Sequence, residues 1–228
     1  CAQFNSLAEV KLLQKLLMKS DEMPDIIVFL DGANDAEYLC RFGAVDSHFR
    51  YEELKGIVES RGPLKPLSAY FAASYLRMFL LKSRELLVPV DEKFAAEYAE
   101  KLEERYDYVY GRAAPQGAEF MVFWQPTSWT EKAPENADVA GQEGLASNQM
   151  VSATFKESLR LCCRAVAEKL KEKVYFNNLV DLLSARKEPC YLPDGVNLND
   201  RGMQALATAM ADSIISQAGA SEDTDDED

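Results

Sequence analysis

The sequence predicts an α/β protein in which helices alternate with the strands of a parallel sheet. Three apolar runs have the length and composition of buried strands: DIIVFLDG at 25–32, AEFMVFWQP at 118–126 and VYFNNLVDL at 174–182. Segments with helical apolar spacing lie before, between and after them. This alternation predicts a three-layer α/β/α sandwich with a parallel sheet.

The predicted helices follow from apolar spacing and from capping residues. SLAEVKLLQKLLMK at 6–19 has apolar residues three and four apart, with Ser6 as the expected cap. Pro24 then separates this helix from the first strand, which we expect to be buried on both faces. The last helix is predicted over 200–216, with Asn199 or Asp200 as its cap. Further helices are predicted at about 33–42, 49–61, 67–87, 91–112 and 148–172, and a surface loop at 130–147.

Composition limits the number of domains and the kinds of partner. A chain of 228 residues, 47% of them hydrophobic, is of the size of one globular domain, which we place at 1–216. The tail at 217–228 is acidic and is predicted to be disordered. The formal net charge of −13 argues against nucleic acid and anionic membranes as partners, and no apolar stretch has the length of a membrane span.

The cysteines and the single histidine argue against a disulfide framework and against a metal site. The five cysteines are odd in number, two of them are adjacent, and they form no Cys-x-x-Cys motif. Buried free thiols are therefore expected, which favours a reducing compartment such as the cytoplasm. His48 alone cannot build a metal site, and we predict neither a metal nor a cofactor.

The candidate site lies where the strands end. Ligands of parallel sheets bind at the carboxyl ends of the strands, here LDGAND, WQPTSW and the loop that reaches DGVN. Gly32 permits a turn after the first strand, and the amide of Asn34 is suited to donate a hydrogen bond to an oxyanion. Taken alone, this block is also an ordinary strand-to-helix turn. Gln125 and Ser128 are the candidates for lining a substrate cleft, together with the two tryptophans.

Two ordered blocks give the chain a resemblance to a known family. GAND at 32–35 follows a predicted strand, and DGVNLNDRG at 194–202 precedes the last helix. In this order and at this separation, the blocks resemble the Gly-x-Asn-Asp and Asp-x-x-His blocks of the SGNH (GDSL-type) hydrolases, a family of esterases with a flavodoxin-like topology. The resemblance covers about residues 2–216. It implies a sandwich of that type whose first strand, with the Gly-Asp-Ser block of the nucleophile, lies upstream of this chain.

The resemblance assigns roles to four residues. Gly32 matches the turn of the oxyanion block, Asn34 the oxyanion-hole asparagine, and Asp194 the acid of the catalytic triad. Asn197 stands at the position of the triad histidine, and the sequence leaves open whether it is natural or engineered. An asparagine does not titrate near neutral pH and cannot act as the general base.

These roles predict an ester hydrolase domain that is inactive or nearly so, because the nucleophilic serine and the basic histidine are both missing. The expected partner is a small-molecule ester or an acylated carbohydrate. One alternative is a pseudoenzyme of the same fold that binds a carbohydrate or an acyl group. A weaker alternative is a flavodoxin-like binding protein, which would need a phosphate-binding loop that this sequence does not display.

Overall fold

The computed structural model describes residues 5–19, 23–42, 90–131, 153–192 and 195–222. The helices expected at 49–61 and 67–87, and nearly all of the expected loop at 130–147, lie outside these residues. The elements are α1 (Ser6–Leu17), β1 (Ile26–Asp31), α2 (Ala33–Phe42), α3 (Glu92–Ala113), a 3-10 turn (Ala114–Gln116), β2 (Glu119–Trp124), α4 (Ala153–Leu170), β3 (Phe176–Asn178) and α5 (Asp200–Glu222).

The three strands form one all-parallel sheet in the order β1-β2-β3, so the predicted parallel α/β organisation is confirmed. β2 is central: Ile26–Asp31 pair with Glu119–Trp124 along the whole of β1, and Val122 pairs with Phe176 of β3. Because the strands are parallel, their carboxyl ends lie at one edge of the sheet. This edge is the one at which the sequence places the candidate site.

One face of the sheet is covered by helices. Residues from α1, α2, α3 and α4 join alternate residues of β1 and β2 in a single core cluster. Phe29 of β1 packs edge-on against Phe120 of β2, with ring centroids 5.2 Å apart, and Tyr106 of α3 is fully buried beside them. This face therefore carries most of the described apolar packing.

The opposite face is buried over β2 and partly open over β1. Met121 and Phe123 have no exposed surface, whereas Ile26, Val28 and Leu30 are 41%, 38% and 37% exposed. The expectation that the first strand is buried on both faces is therefore wrong. The difference between the two strands follows from their positions in the sheet. β2 has a neighbouring strand on each side, whereas β1 is an end strand of the described sheet.

Several helix and strand ends differ from those that the sequence predicts. The cap of α1 is Asn5, whose side chain accepts a hydrogen bond from Ala8 N, and not Ser6. β3 is only three residues long, and α5 continues to Glu222, six residues beyond its expected end. Asn199 is the cap of α5, because its side-chain oxygen accepts hydrogen bonds from the amides of Arg201 and Gly202. Among the described helices, none is long and apolar enough to cross a membrane.

Candidate functional site

The carboxyl ends of β1 and β2 touch at the candidate site. Gln125 N donates to Asp31 O over 2.8 Å, which continues the pairing of the strands by one residue. Gly32 follows with φ 135°, and a Cβ placed there would lie 3.2 Å from Gln125 Cγ. The glycine therefore provides both a backbone conformation that other residues rarely adopt and the space for Gln125. The half-buried side chain of Gln125 thus lies directly beside the turn that leads to Asn34.

Asn34 and Asp35 occupy the first turn of α2 and have opposite environments. Asn34 is exposed, whereas Asp35 is 4% exposed. Ser6 donates to the Asp35 carboxylate from its backbone nitrogen, over 3.1 and 3.0 Å to the two oxygens, and from its hydroxyl over 2.5 Å. The turn that presents Asn34 is therefore attached to the first residue of α1.

Arg105 of α3 completes this buried arrangement. Its Nη1 donates to Ser6 Oγ over 3.0 Å and lies 4.0 Å from Asp35 Oδ1. Burial raises the pKa of Asp35 above its usual value, although the hydrogen bonds from Ser6 and the charge of Arg105 act in the opposite direction. Three helices, α1, α2 and α3, thus meet at one carboxyl group next to Asn34.

A second carboxyl group, that of Asp31, is buried at the end of β1. Tyr106 OH donates to Asp31 Oδ2 over 2.8 Å, and the carboxyl group of Glu9 in α1 lies close enough to Asp31 to raise its pKa. Burial and the nearby carboxylates raise the pKa of Asp31 well above its usual value, and burial raises the pKa of Glu9 to about 7. Two neighbouring carboxyl groups can share a hydrogen bond only when one of them is protonated.

The segment after β2 forms a tight turn. Thr127 and Thr130 are joined by their hydroxyl groups over 2.8 Å, and Glu131 N donates to Thr127 O over 3.2 Å. Trp124 is fully buried, so the expectation that it lines a cleft is wrong. Trp129 is half-buried and packs edge-on against Phe155 of α4, with centroids 6.1 Å apart.

Residues 190–192 pair with residues 197–199 in a short hairpin, called here the 190–199 hairpin, which carries the second block. Leu192 N donates to Asn197 O over 2.7 Å, and Asn199 N donates to Cys190 O over 3.0 Å. Asn197 is exposed, and Gly195, with φ 71°, is buried at the tip. Asp194 lies outside the described residues, so its expected role as triad acid stays a prediction.

The hairpin tip is attached to the turn after β2. Gly195 O accepts hydrogen bonds from Ser128 N over 2.9 Å and from Ser128 Oγ over 3.0 Å. A Cβ placed on Gly195 would lie 2.5 Å from Ser128 Oγ and 2.7 Å from Trp129 Nε1. Residues 125–128 therefore touch the first block on one side, through Gly32, and the second block on the other.

Several residues that organise this region are not predicted to lie together from the sequence. Ser6, Asp35 and Arg105 are polar residues from three separate helices, and only the folded chain brings them together. Glu131 is likewise buried and accepts a hydrogen bond from Tyr191, sixty residues later in the chain. An acidic residue after a turn is usually exposed, so the sequence alone gives no reason to select it.

The described cysteines confirm the expectation of buried free thiols. Cys40, Cys162, Cys163 and Cys190 are all free and buried. Within the described ranges, no three His, Cys, Asp or Glu side chains are grouped so that they could hold a metal ion.

Comparison of the chain with family models, with curated proteins and with solved structures gives no significant match.

Proposed function

We propose that this chain is an SGNH (GDSL-type) esterase domain that binds an acyl ester or an acylated carbohydrate and hydrolyses it very slowly or not at all. The observation that carries the proposal is the shared attachment of the two blocks. The turn that leads to Asn34 and the hairpin that carries Asn197 both contact residues 125–128. The two blocks that resemble the family are thus parts of one edge of the sheet.

Asn34 is the proposed donor to the carbonyl oxygen of the bound ester. Its side chain is exposed in the first turn of α2, directly after the carboxyl end of β1. An amide side chain at this position can donate a hydrogen bond to a carbonyl oxygen or to an oxyanion. Gln125, half-buried beside Gly32, is a second amide at the same edge.

The groups near the hairpin favour binding over turnover. Asn197 has no titratable proton near neutral pH, so it can orient a ligand and cannot act as a base. The Ser128 hydroxyl donates to Gly195 O, and its role in this arrangement is to hold the hairpin. Asp194, by the family resemblance, would accept a hydrogen bond from a histidine at 197, and here that histidine is an asparagine.

The proposed family also requires a second layer of helices on the sheet. The burial of two side chains of β2 supports such a layer. Met121 and Phe123 point to the face opposite the main core cluster and have no exposed surface. Apolar side chains of this size are buried by packing against other elements.

The proposal is tested with 6-O-acetylglucose as ligand and glucose as its matched control without the ester. Amide chemical shifts are followed by NMR at residues 32–35, 125–128 and 195–197 during titration of each compound. We expect shifts at these residues with the acetylated sugar alone. The Asn34→Ala variant is expected to weaken binding by about tenfold, because the hydrogen bond to the ester carbonyl is lost. The Gln116→Ala variant, which removes an exposed amide near the amino end of β2, is expected to bind as the wild type does.

Hydrolysis is measured separately with p-nitrophenyl acetate and purified protein. No turnover above that of buffer is expected. Turnover that disappears in Asn34→Ala would show an active esterase and contradict the absence of chemistry. Equal shifts with glucose and 6-O-acetylglucose, or shifts with neither, would overturn the ester site itself.

A further inference from the structure

We infer that Glu131 is a positioning residue that, with Tyr191, fixes the 190–199 hairpin and therefore the location of Asn197 at the ligand site. The inference rests on the proposed function and adds to it the device that holds one wall of the site. Glu131 comes from the turn after β2 and belongs to neither of the two family-like blocks.

The hairpin has two attachments to the segment after β2. Its tip is held by Ser128, through the two hydrogen bonds to Gly195 O. Its base is held by Glu131, whose Oε1 accepts a hydrogen bond from Tyr191 OH over 2.6 Å. Tyr191 also forms the antiparallel bridge to Leu198 across the hairpin. The two attachments lie at opposite ends of the hairpin, so together they fix its orientation as well as its location.

Glu131 is itself firmly placed. Its side chain is 4% exposed, and Leu183 N donates to the same Oε1 over 3.2 Å. Its backbone is held by the turn through Thr127 O, and the turn is anchored to α4 because Arg160 Nε donates to Trp129 O over 2.6 Å. Because both the backbone and the side chain of Glu131 are fixed by these contacts, its carboxyl group can hold the hairpin in a defined position relative to the sheet.

The environment of this carboxyl group makes its partners costly to remove. Oε2 of Glu131 is buried and has no hydrogen-bond partner among the described residues. Burial raises the pKa of Glu131, whereas the bonds from Tyr191 and Leu183 lower it. If the Tyr191 hydroxyl is removed, the carboxyl group keeps its burial and loses its strongest donor, which favours opening of the hairpin.

The test compares Tyr191→Phe with two other variants. Glu131→Gln keeps an acceptor oxygen for Tyr191 and Leu183 and serves as the conservative variant. Tyr175→Phe is the matched control, because Tyr175 OH donates to Asp107 Oδ1 over 2.7 Å in a second tyrosine–carboxylate pair away from the hairpin. Amide hydrogen exchange of Leu192 and Asn199 is measured without ligand, relative to exchange in β2. The dissociation constant for 6-O-acetylglucose is measured by the same NMR titration as above.

We expect Tyr191→Phe to accelerate exchange at Leu192 and Asn199 by about tenfold and to weaken ester binding by a similar factor. Glu131→Gln is expected to stay within about threefold of the wild type in both measurements, and Tyr175→Phe to change neither. If hairpin exchange in Tyr191→Phe equals that in Tyr175→Phe, Glu131 does not position the hairpin. If the hairpin opens and ester affinity is unchanged, Glu131 does not position the site.

Failure of the proposed function has a different signature. A wild-type protein that does not bind 6-O-acetylglucose overturns the ester site, while accelerated hairpin exchange in Tyr191→Phe would still support the positioning of the hairpin by Glu131. The two ideas can therefore fail independently.

Discussion

At the scale of single residues, polar groups occupy positions in the core that apolar residues usually fill. Asp31, the last residue of β1, is 3% exposed, and Asp35, in the first turn of α2, is 4% exposed. Each is held by a hydroxyl donor, Tyr106 for Asp31 and Ser6 for Asp35. Buried carboxyl groups are tolerated only with such partners. The local structure around Asn34 is thus defined by directional bonds.

Glu9 makes the stability of the fold dependent on pH. Its pKa is raised to about 7 in the folded protein, chiefly by burial. The folded state therefore holds the Glu9 proton more tightly than the unfolded state does. The corresponding stabilisation is complete below the unfolded pKa, near 4.5, and is lost as the pH rises through about 7.

The Glu9→Gln substitution tests this dependence, since glutamine resembles the protonated acid and can donate to Asp31. The variant is expected to equal the wild type at about pH 4 and to be more stable by about 1–2 kcal/mol at about pH 8. Urea unfolding at both pH values measures the difference. Glu100→Gln, at an exposed position of α3, is the control and should show the same small change at both. A Glu9→Gln effect that does not vary with pH would contradict the assignment.

At the scale of elements, Asp35 joins three helices at one point. Its carboxylate accepts from Ser6 of α1 and lies 4.0 Å from Arg105 of α3. The Asp35→Ala substitution would leave the Ser6 donors and the Arg105 charge buried without this acceptor. Loss of one partner of such a group costs about 3–5 kcal/mol. Chemical denaturation should show this loss, whereas Asp212→Ala on the exposed side of α5 should stay within about 0.5 kcal/mol of the wild type. A loss for Asp35→Ala as small as that of the control would mean that the three helices do not depend on this contact.

The contact between α5 and the hairpin depends on Gly202. A Cβ at this position would meet the backbone oxygen of Cys190 and would lie 3.1 Å from Leu198 Cβ. Gly111, in α3, has nothing within 4 Å of the same added atom. In a helix, alanine is usually preferred to glycine by about 1 kcal/mol. Gly202→Ala is nevertheless expected to destabilise by about 1–3 kcal/mol, because the close approach to the hairpin overrides this preference.

The matched substitution Gly111→Ala is expected to stabilise the protein by up to about 1 kcal/mol. Thermal unfolding of the two variants beside the wild type therefore gives shifts of opposite sign. A stabilising effect at both positions would show that α5 can move away from Cys190 at little cost.

The same elements show what the sequence can and cannot predict. The strand β2 and the helices α2 and α3 are predicted because their apolar spacing is local information. The cap of α1 is not, because Asn5 and Ser6 are both good capping residues and the Ser6 hydroxyl is taken by Asp35, twenty-nine residues away. The exposure of alternate β1 side chains depends on the position of β1 at the end of the sheet, which a local sequence pattern does not indicate.

For the candidate site, the location of Asn34 at the carboxyl edge can be predicted, because Asn34 follows a predicted strand of a parallel sheet. The contact between Glu131 and Tyr191 cannot be predicted, because it forms only when the hairpin is folded.

At the scale of the whole molecule, the parallel sheet explains how distant segments reach one edge. The turn at 32–35, the turn at 125–131 and the hairpin at 190–199 all lie beyond the carboxyl ends of the strands or contact residues there. Only the middle segment touches both of the others in the contacts described. The turn after β2 is therefore the structural centre of the proposed site, although its residues show the least resemblance to any motif.

Net charge acts on the molecule as a whole. The formal charge of −13 produces self-repulsion that is strongest at low ionic strength, where the Debye length is about 30 Å at 0.01 M salt and about 8 Å at 0.15 M. Surface pairs such as Lys169 with Glu103 act in the opposite direction, but exposed pairs contribute little. We therefore expect the melting temperature to rise by a few degrees as sodium chloride increases over this range.

The acidic residues after Glu222 allow a controlled test of this effect. Residues 223–228 include five acidic side chains, so a chain that ends at 222 carries a formal charge of −13 + 5 = −8. The shortened chain should melt at a higher temperature in low salt and should respond less steeply to added salt, because less like charge remains to be screened. Differential scanning calorimetry of both chains across the salt series measures the two slopes. Equal slopes of melting temperature against salt concentration would show that the charge of this segment does not act on the folded domain. A melting temperature that falls with added salt in both chains would show that attractive pairs outweigh the net repulsion.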